Sequence, residues 1–521
     1  MNPRRTGGGL MNKFLKVVGA VAIINIAARI FGFLREMVVG YQYGFSYAAD
    51  SIFMAYMVPN FLYLVVGGAF ATAVISIYSR RTTDKAEFVK QSFTIVLSTA
   101  MLMTAIMLLF TDPIVNKLFE NDENVNPSAI QLTKHLFYWM MPSSIFLILA
   151  SYYSSLLNIH NKFHLSSVSI LIYNIAFLAI AVALSFVFGP IAYGISAMAS
   201  AAIMIYFLVD GYRKLGSHPV GLSFKRNAAT KDLWIMVLPI MIGGGTVQIY
   251  AVLQRIFAQY LGFGESAISV VNYASRLTQF PQTILITAVS TVIYPILSRK
   301  EAENDVESIT SLYSRGLRYL LMLMVPVSLF SFFYAENIIQ VIFEYGNFTA
   351  EGTKLTAPVL KIFVLSMFFL AANSYITRFY YAKGDSYAPV IFSIINVFII
   401  NIAVMYLLAD SAGVSSIAWG TLISSGCNTL LLMVYAHFKY GLKVGKGQKL
   451  LDSAKLFISI ILIGVITYLA NQYLVFGYKW ITFGAGAAVF GASTIGLYLL
   501  FGIKEAEEYF KRIKTKVVGN K

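Results

Sequence analysis

The chain has 521 residues, of which 58% are hydrophobic and only 12% charged. Soluble domains carry roughly 25% charged residues, so this composition excludes a soluble globular enzyme and points to a polytopic membrane protein. The formal net charge of +16 invites a nucleic-acid reading, but the basic residues are scattered among short loops, which argues against nucleic acid as a partner. One cysteine, Cys427, rules out a disulfide framework and a thiolate metal site.

In chain order, the leading MNPRRTGGGL reads as a basic, disordered cytoplasmic tail, with Met11 as an alternative start and no cleavable signal sequence. Fourteen apolar runs long enough to span a bilayer follow: 15–40, 48–79, 88–111, 130–158, 163–187, 190–212, 231–260, 267–298, 313–335, 355–382, 387–408, 413–438, 453–474 and 479–502. His160 and His164 have a ligand-like spacing, but the basic turn NIHNKFH lacks a carboxylate and reads as a solvated loop. Gly243–Gly245 lies in the seventh run without a phosphate-loop context and reads as a flexible point. Placing the N-terminus in the cytoplasm puts thirty of the forty Lys and Arg inside, five outside and five within spans. That asymmetry predicts an even number of spans, with both termini cytoplasmic.

Segments repeat. DPIVNKLFE at 112–120 matches ENIIQVIFE at 336–344, and SYYSSLLNIHNKF at 151–163 matches SYITRFYYAKGDS at 374–386. Offsets near 224 pair spans 1–6 with spans 7–12, in the same orientation. The predicted fold is therefore all-α: two six-helix lobes related by a pseudo-twofold along the membrane normal, plus two extra C-terminal helices. The predicted segments are 1–225, 226–440 and 441–521. Repeat-built transporters bind substrate between such halves and work by alternating access.

The charges inside spans carry the functional signal. The first span holds Arg29, Arg35 and Glu36, and the second opens with Asp50. An ionisable residue near mid-bilayer costs roughly 2.5–3.5 kcal/mol on insertion scales, so these groups face water or a partner. Gly32 allows the helix to bend or break between the arginines. In one reading Arg35 and Glu36 mark a helix end and snorkel to the headgroups; in the other the arginines line an anion-binding cavity, where the guanidinium fork suits phosphate. Asp50 is expected to pair with a cavity arginine. The second lobe adds Arg255 and Arg276 in its first two spans, while Arg378 reads as a boundary residue. No nucleophile–base pair, metal cluster or P-loop is seen, which points to a transporter rather than an enzyme.

ARIFGFLREMVVG at 28–40, AADSIFMAYMVPNF at 49–61, GAFATAVI at 68–75, NYASRLTQFPQTILITAVSTVIYPILS at 272–298 and FEYGNF at 343–348 resemble the MurJ/MviN lipid II flippase family of the multidrug/oligosaccharidyl-lipid/polysaccharide exporter superfamily. The resemblance covers nearly the whole chain. It implies fourteen helices around a cationic cavity and inner-to-outer-leaflet translocation of undecaprenyl-pyrophosphate-linked peptidoglycan precursor. It further implies that Arg29, Arg35, Asp50 and Arg276 match cavity positions, and that spans 13 and 14 form a groove for the lipid tail. The implied partners are the lipid-linked oligosaccharide, membrane lipids and other cell-wall synthesis proteins. Some members bind Na+ as a coupling ion, and Asp385, Val397 and Asn401 match part of that site, although helix 7 offers Gln254 where a carboxylate is expected. Tyr63 stands where many members have a basic residue, and Gly68 where an acidic one is common; Arg255 is a candidate to compensate for the charge missing at Tyr63. A flippase for another polyprenyl-linked polysaccharide obeys the same arginine logic. A drug/cation antiporter favours intramembrane carboxylates over arginines, and a membrane glycosyltransferase needs larger outside loops, so both fit less well.

Overall fold

The computed structural model describes residues 7–80, 83–119, 126–225, 228–260, 266–303, 305–385, 387–444 and 450–507. These residues are helical with short connections and contain no strand. That is the expected solution in lipid, where each backbone polar group must be satisfied within its own segment.

Two compact units divide after Ser269. The first contains α1 (Gly7–Tyr43), α2 (Tyr47–Leu62), α3 (Gly68–Arg80), α4 (Lys85–Leu109), α5 (Thr111–Leu118), α6 (Pro127–Met140), α7 (Ser143–Ile159), α8 (Phe163–Phe188), α9 (Ile191–Arg213) and α10 (Ala228–Tyr260). The boundary falls in the first turn of α11 (Ala267–Ala302). The second unit continues with α12 (Val306–Phe333), α13 (Ala335–Ile342), α14 (Ala350–Leu365), α15 (Met367–Ala382), α16 (Tyr387–Ile395), α17 (Ile402–Leu407), α18 (Ala409–Ala412), α19 (Ser415–Tyr440), α20 (Leu450–Tyr473) and α21 (Lys479–Leu500). The repeat reading put the seventh span in the second lobe; the compact units instead group α10 with the first, where it packs on α3.

Eleven segments of the described residues are long and apolar enough to cross a membrane. The long helices α1, α10 and α11 occupy the first, seventh and eighth expected spans, which completes fourteen. Several spans are interrupted. α2 and α3 form one rod joined by a π turn at Tyr63–Gly67, shortly after Pro59. Proline removes a backbone donor and crowds the preceding turn, so local rewinding is expected there. A second π turn, Asn396–Asn401, joins α16 to α17. The α6–α7 span breaks at Met141–Pro142 and the α14–α15 span at Ser366.

The internal repeat is visible in the elements. The short helices α5 and α13, at Thr111–Leu118 and Ala335–Ile342, are 224 residues apart. Gly189 and Gly413 are separated by the same interval, end the matching helices and both have positive φ, 54° and 53°. A side chain is strained there, so glycine is required at both ends of the repeat.

Three expectations are corrected. α1 is helical from Gly7, so the glycines expected in a disordered tail begin a helix, while residues 1–6, with Arg4 and Arg5, lie outside the described residues. α1 passes through Gly32 unbroken, and a Cβ there would meet Asn174 Oδ1 on α8 at 3.5 Å, an ordinary packing distance. α10 likewise stays helical through Gly243–Gly245, and a Cβ on Gly245 would lie 3.4 Å from Val65 Cγ1.

The C-terminal pair α20 and α21 is clasped to α12. Met322, Leu456, Ile460, Ile463 and Tyr498 form the core of the contact. Arg318 Nε meets Glu505 Oε1 at 2.9 Å, and Arg318 Nη2 donates to the Asp452 carbonyl at 3.1 Å.

Candidate functional site: caged and open arginines

Arg29 and Arg35 lie six residues apart on α1. At 3.6 residues per turn they project from different faces. Arg29 is exposed, whereas Arg35 is 9% exposed and its neighbour Glu36 only 3%. Helix α1 continues two turns beyond this pair to Tyr43, so the helix-end reading of Arg35 and Glu36 does not hold.

Arg35 sits in an aromatic cage. Its Nη2 donates to Glu36 Oε1 at 3.1 Å. The guanidinium carbon lies 4.4 Å from the Tyr56 ring centroid and 4.9 Å from that of Phe177. The cage wall is continuous: the Tyr56 and Tyr173 hydroxyls are 3.3 Å apart, and Phe177 packs edge-on against Tyr193 at 6.2 Å. Tyr193 in turn donates to Gln42 Oε1, and Gln42 Nε2 donates to Ser185 Oγ. Charge at span depth is thus offset by one carboxylate and the negative faces of two rings. One guanidinium nitrogen, Nη1, is buried and makes no hydrogen bond. Sequence reasoning found the arginine but missed Glu36 as its partner, together with Tyr56, Tyr173 and Phe177. Adjacent residues on a helix do not normally face each other, so the pairing carried no spacing signal.

Asp50 has partners that the sequence did not suggest. In the first turn of α2, its Oδ2 accepts from the Ser266 backbone N–H at 3.0 Å. Its Oδ1 accepts from the Ser269 backbone N–H at 2.8 Å and also from the Ser269 hydroxyl. The carboxylate therefore caps the first turn of α11, where orphan N–H groups and the helix dipole favour a negative charge.

Arg255 on α10 and Arg276 on α11 are both half-buried, one in each compact unit, and Gln254 beside Arg255 is buried. Tyr63 opens the first π turn. In that turn a Cβ on Gly67 would lie 2.7 Å from Ser151 Oγ, so the turn and α7 are packed backbone to side chain.

The three residues matched to a sodium site are not brought together. Asp385 precedes α16, whereas Asn401 ends the π turn after it, about 20 Å along the helix at 1.5 Å per residue. The Asp385 carboxylate accepts from Tyr440 at 2.6 Å, Lys439 at 2.9 Å and the Ala388 N–H at 3.1 Å. Burial alone would raise its pKa, but these three donors hold it down at about 2. Asn401 Nδ2 donates to Ser424 Oγ at 3.1 Å, and Val397 is half-buried between the two ends. Among the described residues no group of three His, Cys, Asp or Glu side chains could hold a metal.

The fold and charge placement define a multi-pass membrane protein of the transporter type, with one buried arginine and others partly exposed within its spans. A family model described as lipid II flippase MurJ matches residues 39–484, and the chain belongs to that family. The match begins just after the Arg35–Glu36 pair. The chain is similar to a probable lipid II flippase MurJ of Rickettsia prowazekii, 26% identical over 87% of this chain and 89% of the relative. It is also similar to the lipid II flippase MurJ of Burkholderia cenocepacia, 26% identical over 81% of this chain and 84% of that one. Among solved structures, an inward closed conformation of lipid II flippase MurJ superposes with a TM-score of 0.79, at 23% identity, over 92% of this chain and 98% of the other. An inward-facing multidrug-resistance MATE family transporter of the MOP superfamily superposes with a TM-score of 0.64, at 12% identity, over 81% and 94%. At these identities the structural matches establish the fold alone.

Proposed function

We propose that this protein is a flippase that carries a polyprenyl-pyrophosphate-linked peptidoglycan precursor, lipid II, from the inner to the outer leaflet by alternating access. The observation that carries the reading is the family match over 39–484, joined to guanidinium groups at span depth. The task is noncovalent. A pyrophosphate and its sugars must be sheltered from hydrocarbon while the polyprenyl chain stays in lipid, and no catalytic step is required.

Arg29, Arg35 and Arg276 are the groups we assign to the pyrophosphate, with Arg255 and Asp50 as supporting charges. The exposed Arg29 makes the first contact. Arg35 and Glu36 form a pair with no net charge, and an incoming phosphate competes with that carboxylate for the guanidinium. An arginine keeps its charge at any physiological pH and offers a bidentate fork, which lysine does not. Both termini are assigned to the cytoplasm on the distribution of basic residues. Outward movement of an anionic headgroup is favoured by an inside-negative potential, worth about 2.3 kcal/mol per charge per 100 mV. Na+ is retained as a proposed coupling ion, but not at a joint Asp385–Asn401 site. The apolar surface of α20 and α21 is proposed to receive the polyprenyl tail.

The deciding experiment is depletion of the endogenous lipid II flippase in a host expressing this chain. Restored growth and restored surface exposure of lipid II support the reading. Failure to restore either, with normal protein levels in the membrane, rejects lipid II as substrate.

A further inference from the structure

A groove with a volume of about 1040 Å³ runs between α4 and α10, wholly within the first compact unit and apart from the Arg35 cage. Its walls are apolar for most of their length: Leu102 and Ile106 on α4 face Trp234 and Leu238 on α10. Leu102 is 62% exposed and Leu238 51%, so within a membrane this groove opens to hydrocarbon rather than to protein. At one end the chemistry changes abruptly. Lys225 and Lys231 line that end, with the polar side chains of Gln91, Thr94 and Thr230.

That end is a built feature. The segment leading out of α9 is strapped across α4: the Ser223 N–H donates to Thr94 Oγ1 at 2.8 Å, and its hydroxyl donates to Glu87 at 2.5 Å. Glu87 also accepts from Gln91 at 3.2 Å. The strap fixes Phe224 and Lys225 over the mouth. Two carboxylates lie nearby, Glu87, which is engaged by these donors, and Asp232, which is exposed; Lys90 joins the cations on α4.

The dimensions fit one leaflet. From Thr230 to Met241 the groove follows α10 for about 16 Å at 1.5 Å per residue. Half of a hydrocarbon core of about 30 Å is about 15 Å. A slot of one-leaflet depth, open to lipid and ending in ammonium groups, has the charge and shape of a lipid with an anionic head. Lysine presents a point charge, suited to the single negative charge of a phosphodiester, and among the described residues that line the groove the cations are lysines. We propose that the α4–α10 groove binds one anionic glycerophospholipid, its phosphate at Lys225 and Lys231 and an acyl chain along the Leu102–Leu238 wall. This site is distinct from the one assigned to the transported lipid and does not depend on that assignment.

Trp234 provides the reporter, because it lines the groove and its ring packs edge-on against Phe70 at 5.7 Å. The full chain carrying Trp139→Phe, Trp419→Phe and Trp480→Phe is placed in phosphatidylcholine vesicles. Trp234 quenching by brominated phosphatidylglycerol is then compared with quenching by brominated phosphatidylcholine. Juxtamembrane lysines attract anionic lipid appreciably, and the expected preference for phosphatidylglycerol is about threefold to tenfold. Lys225→Gln with Lys231→Gln should bring it to near unity, and Ser98→Phe, at an exposed position on the groove wall, should weaken quenching by phosphatidylglycerol. Native mass spectrometry of the wild-type chain gives a second reading free of tryptophan changes: retained phosphatidylglycerol should fall in the double lysine variant. Equal quenching by the two lipids, or a preference unmoved by the lysine changes, overturns the proposal. Displacement of phosphatidylglycerol by equimolar polyprenyl phosphate also overturns it, because the groove would then belong to the transported lipid.

Discussion

If the Arg35 cage is a coupled ion pair, removing one member should cost more than removing both. Arg35→Met leaves Glu36, only 3% exposed, without its 3.1 Å partner. Breaking a buried pair in this way costs about 3–5 kcal/mol, most of it the desolvation of the stranded charge. Glu36→Gln leaves the guanidinium against the rings of Tyr56 and Phe177 at 4.4 and 4.9 Å. Those contacts are worth about 1–2 kcal/mol each when desolvated, so this variant should lose less. In the double variant Arg35→Met/Glu36→Gln no formal charge is stranded, and it should be more stable than Arg35→Met by about 1–3 kcal/mol. The assay is denaturant unfolding of the purified chain in mixed micelles, for the wild type, both singles and the double. Strict additivity of the two losses would show that the residues do not act as a pair and would remove Glu36 as the counter-charge. The contrast with Arg29 is equally informative. Because Arg29 is exposed, Arg29→Ala should unfold like the wild type yet fail to support growth in the flippase-depleted host.

Other expected outcomes follow from the same geometry. Asp385 is held at about 2 against burial by Tyr440, Lys439 and the Ala388 N–H, and Asp305 at about 2 by Ser308 and Lys300. Both carboxyls are depressed below their unfolded value of about 3.9, so their stabilisation is complete above pH 4 and is lost as pH falls from about 4 to 2. A melting-temperature profile across that window should flatten in the Asp385→Asn/Asp305→Asn variant. Gly316→Val should be poorly accumulated, because even a Cβ would lie 1.9 Å from the Tyr375 hydroxyl, which is itself bonded to the Leu312 carbonyl; wild-type membrane levels would contradict the packing argument. With Cys427 replaced by serine, a cysteine at Asn347 should react with an impermeant maleimide from outside intact cells and one at Lys443 should not. The reverse pattern would invert the assigned topology.

The helices were legible because apolar runs near 20 residues and the 224-residue offset survive in primary structure. α5 and α13 reproduce that offset although both stretches lie mostly outside the fourteen apolar runs. They are too short to register as spans, and an acidic residue in each first turn disguised them. The break within the fourth expected span carries a signal in Pro142, whereas the one at Ser366 within the tenth has none, because apolar residues flank it on both sides. Within the membrane both the lipid-facing and the packed faces are apolar, so hydrophobic periodicity does not say which face is buried. For that reason Arg29 and Arg35 read alike in sequence, although one is open and the other caged. The cage depends on Tyr56 and Phe177 arriving from α2 and α8, and no local pattern on α1 encodes their approach.

Asp50 tests how far sequence proximity to an arginine predicts a partner. It lies near Arg35 in the chain, yet its carboxylate receives the Ser266 and Ser269 N–H groups and the Ser269 hydroxyl. Helix N-termini leave four N–H groups without intrahelical partners, so a carboxylate arriving from α2 satisfies donors that otherwise cost desolvation energy. Losing a side-chain cap costs about 0.5–2 kcal/mol, and the charge adds up to about 2 kcal/mol in a partly buried setting. Asp50→Asn keeps one acceptor oxygen and should lose less stability than Asp50→Ala, which keeps none. Asp50→Glu moves the carboxylate one methylene further out and should fall between them. The exchanged pair Asp50→Arg/Arg35→Asp should not recover what the singles lose: it points a cation at the positive end of α11 and leaves a carboxylate against the faces of Tyr56 and Phe177. Recovery of growth by the exchanged pair would mean that Asp50 and Arg35 act on each other after all, and the capping role would have to be abandoned.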